Sequence, residues 1–216
     1  MASIIIGKHG FIGRELTKRL VTVSEYPVKG AKVLYDFGSP THQYWNDYCT
    51  TQAIERIVQL APWCRENDVL YVFPSSALVY EKQTRFTRAK LACEQLLMAY
   101  GVRHLIIRFW PIYGDTEVSK GENSSVIDIW FRDMRKGIRP VVYGDGKQER
   151  GFVHVEEAVT RMLVLVENRA NGTHDISGKP ISFNRIIANL NKEFRTNLKP
   201  KYIKAPEGYS LKSPKP

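Results

Sequence analysis

Three β-branched residues, Ile4, Ile5 and Ile6, run straight into Gly7, and Gly10 and Gly13 follow at steps of three. An apolar stripe then begins: Ile12, Leu16, Leu20. This order predicts a buried strand, a tight glycine turn and a helix. Glycine suits such a turn because the backbone needs unusual φ/ψ there and a ligand must come close to it. The helix that follows points free N–H groups and its positive dipole end at whatever sits above the turn, and a pyrophosphate is the usual occupant. The spacing G-x-x-G-x-x-G departs from the G-x-G-x-x-G fingerprint. A glycine turn without a ligand is therefore the competing reading. The position of the glycines between a strand and a helix favours a dinucleotide.

Beyond the turn, strand and helix patterns alternate. Strands are expected at residues 32–37, 69–73 and 104–109, and helices at 43–66 and 86–100. Pro62 is expected to kink or end its helix, and Pro74, Ser75 and Ser76 to close the third strand. The second half is less regular, with helical patterns at 125–135, 155–167 and 183–194 and short strands at 141–143 and 173–177. Alternation of this kind points to an α/β fold, a parallel sheet with helices on both faces.

Composition narrows the function classes. A hydrophobic share of 43% supports a real core, and no run is long and apolar enough to span a bilayer. The first residues lack a signal-peptide pattern. Cys49, Cys64 and Cys93 are odd in number and far apart, with no metal-ligand spacing, as in a cytoplasmic protein with reduced thiols. The net charge of +10 suits an anionic partner. Residues 191–216 hold seven bases and two acids, half of that charge. The last ten or so residues read as a basic tail, with a merely solvated tail as the competing reading. Tyrosines and tryptophans are not spaced as a stacking platform, so nucleic acid is not an expected partner.

Four stretches together carry a resemblance. GKHGFIG (residues 7–13), FPSSALVY (73–80), IRFWPIYGD (107–115) and VYGDGKQERGFVHV (142–155) stand in the order found in the extended short-chain dehydrogenase/reductases. Within that class the chain resembles the NAD-dependent epimerases and dehydratases of nucleotide sugars, over most of its length up to about Leu190. The resemblance implies a shortened Rossmann-like parallel sheet with helices on both faces and a small C-terminal substrate lobe. The expected division is residues 1–115 for the dinucleotide part, with 150–168 packing back on it, 116–205 for the lobe and 206–216 for the tail. It also implies NAD or NADP as cofactor, a nucleotide-sugar substrate and a homodimer packed through two helices.

Site residues follow by the same resemblance. Gly7, Gly10 and Gly13 hold the pyrophosphate, with Phe11 and Ile12 lining the turn. Ser76 orients the sugar, Lys90 holds the nicotinamide ribose and serves catalysis, and Arg150 binds the substrate's phosphates. Each has a plainer alternative. Ser76 can satisfy backbone groups at a strand end, Lys90 can be a solvated helix residue, and Arg150 can be one charge in a charged run.

The departures bear on function. The family's Tyr-x-x-x-Lys pair falls on Phe86 and Lys90, so the phenol that exchanges a proton with the sugar hydroxyl is missing. Tyr80 is the nearest other phenol in sequence, at a position the family uses as scaffold. A strand, helix and strand usual after the first helix are absent, together with the acid that binds the adenosine ribose. Asp36 belongs to a later strand in this reading. The family's substrate-site asparagine falls at Pro111, and its Arg-Asp pair is Arg150-Gly151. Two readings stay open: an NAD(P)-binding nucleotide-sugar epimerase/dehydratase with impaired or altered catalysis, and a catalytically inactive relative serving as a binding or assembly subunit. A nucleic-acid-binding protein rests on charge alone.

Overall fold

A computed structural model describes residues 2–20, 22–24, 28–39, 46–81, 84–114 and 125–206. The path begins β1 (Ala2–Ile6), α1 (Phe11–Thr17), β2 (Thr22–Ser24), β3 (Ala31–Asp36), α2 (Asp47–Glu66), β4 (Leu70–Ser76), a short helical turn (Ala77–Tyr80), α3 (Arg85–Ala99) and β5 (His104–Phe109). It continues β6 (Ile112–Tyr113), α4 (Val126–Arg135), β7 (Val141–Tyr143), β8 (Glu149–Arg150), β9 (Val153–His154), α5 (Val155–Glu167), β10 (Gly172–Ile176), β11 (Ile181–Ser182), α6 (Phe183–Phe194) and β12 (Lys201–Ile203). Two compact units result, one of Met1–Phe109 with Val155–Ile176, the other of Trp110–His154 with Ser177–Pro216. The segment that returns to the first unit is thus α5 with β10, where the sequence put 150–168.

In the first unit all six strands run parallel, in the order β10-β5-β4-β3-β1-β2. Ile4, Ile5, Leu34, Val72, Phe73, Leu105, Ile106 and Ile107 are fully buried. Unbroken apolar runs are what a sheet covered on both faces requires. α2 packs against α3, and α1 against α5. α3 starts from a reciprocal cap, Thr84 with Thr87, and stops at Gly101, whose φ of +60° is the left-handed conformation that ends helices. β1 has β2 on one side and β3 on the other, so the chain changes direction there. In open α/β sheets ligands bind outside the carboxyl ends of the strands at such a switch point.

Several expectations are corrected. A three-residue strand, β2, intervenes after α1 and pairs with β1 at the sheet edge. The expected helix through Pro62 does reach Glu66, so of the two outcomes expected at Pro62, a kink or an end, the end does not occur. Proline forfeits one bond, to the carbonyl of the exposed Val58, while Ala61 and Cys64 stay buried in the core. Residues 43–45 of that expected helix lie outside the described residues. β4 continues through Pro74 to Ser76. Its pairing with β3 ends at Val72, so Pro74 faces an open edge on that side and pairs only with β5. Within the basic segment, Lys201–Ile203 forms β12 alongside β7. Most of the expected tail, 207–216, lies outside the described residues.

The second unit packs α4 against α6 around Trp130, Met134, Phe183, Ile186 and Ile187, with Val142 of β7. Trp130 meets Phe183 edge-on at 5.3 Å and donates its indole N–H to the Val141 carbonyl at 3.0 Å. Three two-stranded ladders complete it: β6 with β9, β7 with β12 and β8 with β11. Among the described residues no helix is long and apolar enough to cross a membrane.

Candidate functional site

The glycine turn sits at the carboxyl end of β1. Gly7 has φ +80°, and a Cβ there would lie 2.3 Å from the Phe37 carbonyl oxygen. Gly10 caps α1, its N–H donating to the Gly7 carbonyl at 2.9 Å. A Cβ on Gly13 would lie 2.1 Å from that same Gly7 oxygen. The first glycine therefore makes the turn, and the third lets α1 close onto β1. At Gly10 the nearest atom to a Cβ is the Gly7 oxygen at 3.2 Å, and among the described residues nothing else beyond its chain neighbours and its own helix lies within 4 Å. Among these residues the turn is bare above its middle glycine, which fits a diphosphate that must approach backbone. Phe11 and Ile12 flank it half-buried. Asp36, at the end of β3, spends its carboxylate on Arg56 (3.0 Å), the Tyr71 hydroxyl (2.9 Å) and the Gly38 N–H (3.3 Å). Burial beside that carboxylate pushes the Tyr71 phenol well up.

A second group of residues stands at the carboxyl end of β4. Ser76 is half-buried, and its Oγ accepts from the Leu78 N–H at 3.2 Å as the cap of the helical turn. Lys90 of α3 is 5% exposed and donates to the Pro74 carbonyl at 2.7 Å. Its ammonium lies 4.8 Å from the centre of the Phe73 ring and 5.8 Å from that of Phe86. Burial pulls the Lys90 pKa down to about 8. Glu94, one turn further along α3, takes both arms of Arg108, Nε at 3.1 Å and Nη2 at 2.6 Å, and accepts from the Ser75 hydroxyl. Glu94 holds the Arg108 pKa above its ordinary value. Arg108 donates to the Tyr80 hydroxyl at 3.0 Å, which donates to Asp175 at 2.8 Å. Burial, with Asp175, raises the Tyr80 phenol although Arg108 opposes it. That shift disfavours Tyr80 as a replacement proton carrier, which would need its pKa lowered.

Arg150 lies in the second unit, on β8, with Nη1 donating to the Glu149 carbonyl at 2.9 Å. It stands opposite Ile181 in the β8–β11 ladder. Ile181 lines a cavity of about 820 Å³ that also includes Tyr113, Asp128, Phe131, Phe152 and His154. Asp128 accepts from the Gly114 N–H at 3.2 Å, and burial raises its pKa. The glycine after Arg150 has a packing cause. A Cβ on Gly151 would fall 2.0 Å from Ser177 Oγ and 2.8 Å from the Gly178 carbonyl, so no aspartate fits there.

Gly7, Gly10 and Gly13 thus share one turn, Ser76 and Lys90 share one strand end, and Arg150 belongs to the other unit. The sequence reading passed over Glu94, Asp175 and the cavity. Glu94 had a signal: an acid four residues after Lys90 on the buried helix face. Arg108 lay inside the quoted IRFWPIYGD, where only Pro111 drew notice.

Sheet order and glycine turn define an extended short-chain dehydrogenase/reductase. A model of the NAD-dependent epimerase/dehydratase family matches residues 41–178, more than half of the chain, and the chain belongs to this family. An ADP-L-glycero-D-manno-heptose-6-epimerase of Alkalilimnicola ehrlichii is 26% identical over 171 residues, 68% of this chain and 53% of that protein. The chain spans about a third to a half of the length of the curated relatives it matches. Among solved structures, a UDP-N-acetylglucosamine 4-epimerase of Methanobrevibacter ruminantium in complex with UDP-N-acetylmuramic acid superposes with a TM-score of 0.84 at 18% identity, over 98% of this chain and 88% of that one. A tyrosine-to-phenylalanine variant of a UDP-glucuronic acid 4-epimerase of Bacillus cereus, in complex with NAD and a fluorinated UDP-sugar, gives 0.81 at 17% identity, over 99% and 89%.

Proposed function

We propose that this chain binds NAD at the turn after β1 and is a nucleotide-sugar epimerase or dehydratase whose catalysis is impaired by Phe86. The observation that carries the reading is the turn itself. Gly7 and Gly13 stand where any Cβ would strike backbone, and Gly10 leaves the turn open. In this reading the three glycines hold the pyrophosphate, with Phe11 and Ile12 beside it. When bound, NAD supplies hydride exchange with the sugar. Ser76 orients the sugar hydroxyl, Lys90 holds the nicotinamide ribose, and Arg150 takes the substrate's phosphates through its bidentate fork. The protein is cytoplasmic and a homodimer in the same reading. Phe86 has no proton to exchange, and general acid–base help of that kind is typically worth about 10²–10⁴-fold. The variant epimerase from Bacillus cereus holds NAD and a UDP-sugar together, so a tyrosine-to-phenylalanine change is compatible with binding in that protein.

Calorimetric titration with NAD and with NADP tests the cofactor. Heat of binding and a raised melting temperature are expected, and silence at millimolar concentrations of both refutes the reading. Phe86→Tyr tests the chemistry. It should gain hydride exchange with a nucleotide sugar, read as cofactor absorbance, and Lys90→Met in that background should abolish the gain. No gain in a variant that binds NAD favours the second reading, a catalytically inactive binding or assembly subunit, which Phe86 itself supports.

A further inference from the structure

α3 grips the end of β4 with two side chains one helical turn apart. Lys90 donates to the Pro74 carbonyl, and Glu94 accepts from the hydroxyl of the next residue, Ser75. Glu94 is 1% exposed and is itself fixed, because both its oxygens meet Arg108 of β5. Arg108 goes on to Tyr80, which closes the helical turn opened by Ser76, and Tyr80 goes on to Asp175 of β10. The two ends of the segment from Ser75 to Tyr80 are therefore tied to one ion pair, with Ser76 between them. Buried ion pairs are weak sources of stability, since desolvation offsets much of their attraction. A planar guanidinium on a carboxylate nevertheless fixes direction as well as distance.

We infer that Glu94 and Arg108 are positioning residues. They set where Ser76 and Lys90 stand and touch no ligand themselves. Their service to a ligand site rests on the proposed roles of Ser76 and Lys90, whereas the clamp on the strand end does not.

Glu94→Gln removes the ion pair and keeps the shape. Arg108→Lys keeps the charge and loses the fork, and it serves as the second variant if the first folds poorly. Glu157→Gln, which breaks an exposed Arg161–Glu157 pair on α5, is the control. Hydrogen exchange of the full chain reads the clamp at the Leu78 amide and its neighbours. Exchange there should rise at least ~10-fold in both clamp variants, while β1 and β3 keep their protection and the control stays at wild type. The NAD dissociation constant, taken where the variants are folded, should rise about 10-fold, an effect that a role in bulk stability alone does not produce. Unchanged exchange at Leu78, or a uniform rise across all strands, overturns the clamp. Local loosening with unchanged NAD affinity overturns its service to the site. If the wild-type chain binds no NAD, the cofactor reading falls, and the exchange pattern alone decides the clamp.

Discussion

Lys90 makes a pH-dependent prediction that needs no ligand. Lys90 is 5% exposed, and its ammonium donates to the Pro74 carbonyl near the rings of Phe73 and Phe86. Burial lowers its pKa from 10.5 to about 8 in the folded chain. Below pH 8 the folded and unfolded chains both carry the proton, and the fold bears the whole cost of the buried charge. Between pH 8 and 10.5 the folded chain sheds the proton while the unfolded chain keeps it. The unfolded state then binds more protons, so stability rises with pH across that window and levels off above it. The fall from 10.5 to about 8 corresponds to about 3 kcal/mol. Other groups titrate there too, so the wild type is compared with Lys90→Met, in which they cancel. Cys93, the nearby thiol, is pushed up from 9.0 to about 11 by burial, so it lowers stability as pH rises through the same window, and that opposing contribution is common to wild type and variant. Denaturant unfolding at stepped pH values should show the difference, wild type minus variant, flat below pH 8 and then climbing by about 3 kcal/mol. A flat difference throughout would mean that water reaches the ammonium. A falling one would mean that its partners favour the charge over burial, which contradicts the direction argued here.

Gly13→Ala should cost about 1–3 kcal/mol and abolish NAD binding, because its Cβ meets the Gly7 carbonyl and the helix must move off the strand. A wild-type melting curve with full NAD affinity refutes that geometry. Asp36→Ala should cost about 3–5 kcal/mol, since it strands Arg56 and the Tyr71 hydroxyl beside a buried site. A loss under about 1 kcal/mol in denaturant unfolding would show that the pair is solvated.

The parts of this fold legible in the sequence are those with a long period or a cap. β5, α5 and α6 fall at the expected residues because each shows a sustained apolar pattern over its whole length. β2 was illegible because Thr22–Ser24 is short and has no flanking glycine turn like the Gly144-Asp145-Gly146 that marks the equally short β7. Pro74, expected to close its strand, sits where its missing N–H faces the side on which pairing with β3 has ended, so β4 continues past it. At the site, the glycines were legible from their place between a strand and a helix, and backbone geometry demands Gly7 and Gly13. The clamp was not, because Glu94, Arg108, Tyr80 and Asp175 come together only through four separate elements. No spacing along the chain encodes that convergence.

Two departures from the family's pattern, equally plain in the sequence, have different physical meanings. Gly151 is compensated. Ser177 and Gly178 fill the space a side chain would take, and the Gly178 N–H donates to the Gly151 carbonyl at 3.1 Å. Ser177 and the Gly178 backbone lie against that position, so an aspartate there would have to displace the loop that carries them. Phe86 is half-buried on α3 and packs against the core of the first unit. Its ring lies near the Lys90 ammonium, and Lys90 and Phe86 remain one helical turn apart on α3. Phenylalanine and tyrosine differ by one hydroxyl, and the carbon frame beneath it is unchanged. The first departure is therefore built into the packing of its unit, whereas the second exchanges one aromatic ring for another on a helix face shared with Lys90. That contrast makes Phe86→Tyr the informative substitution and Gly151→Asp a destructive one.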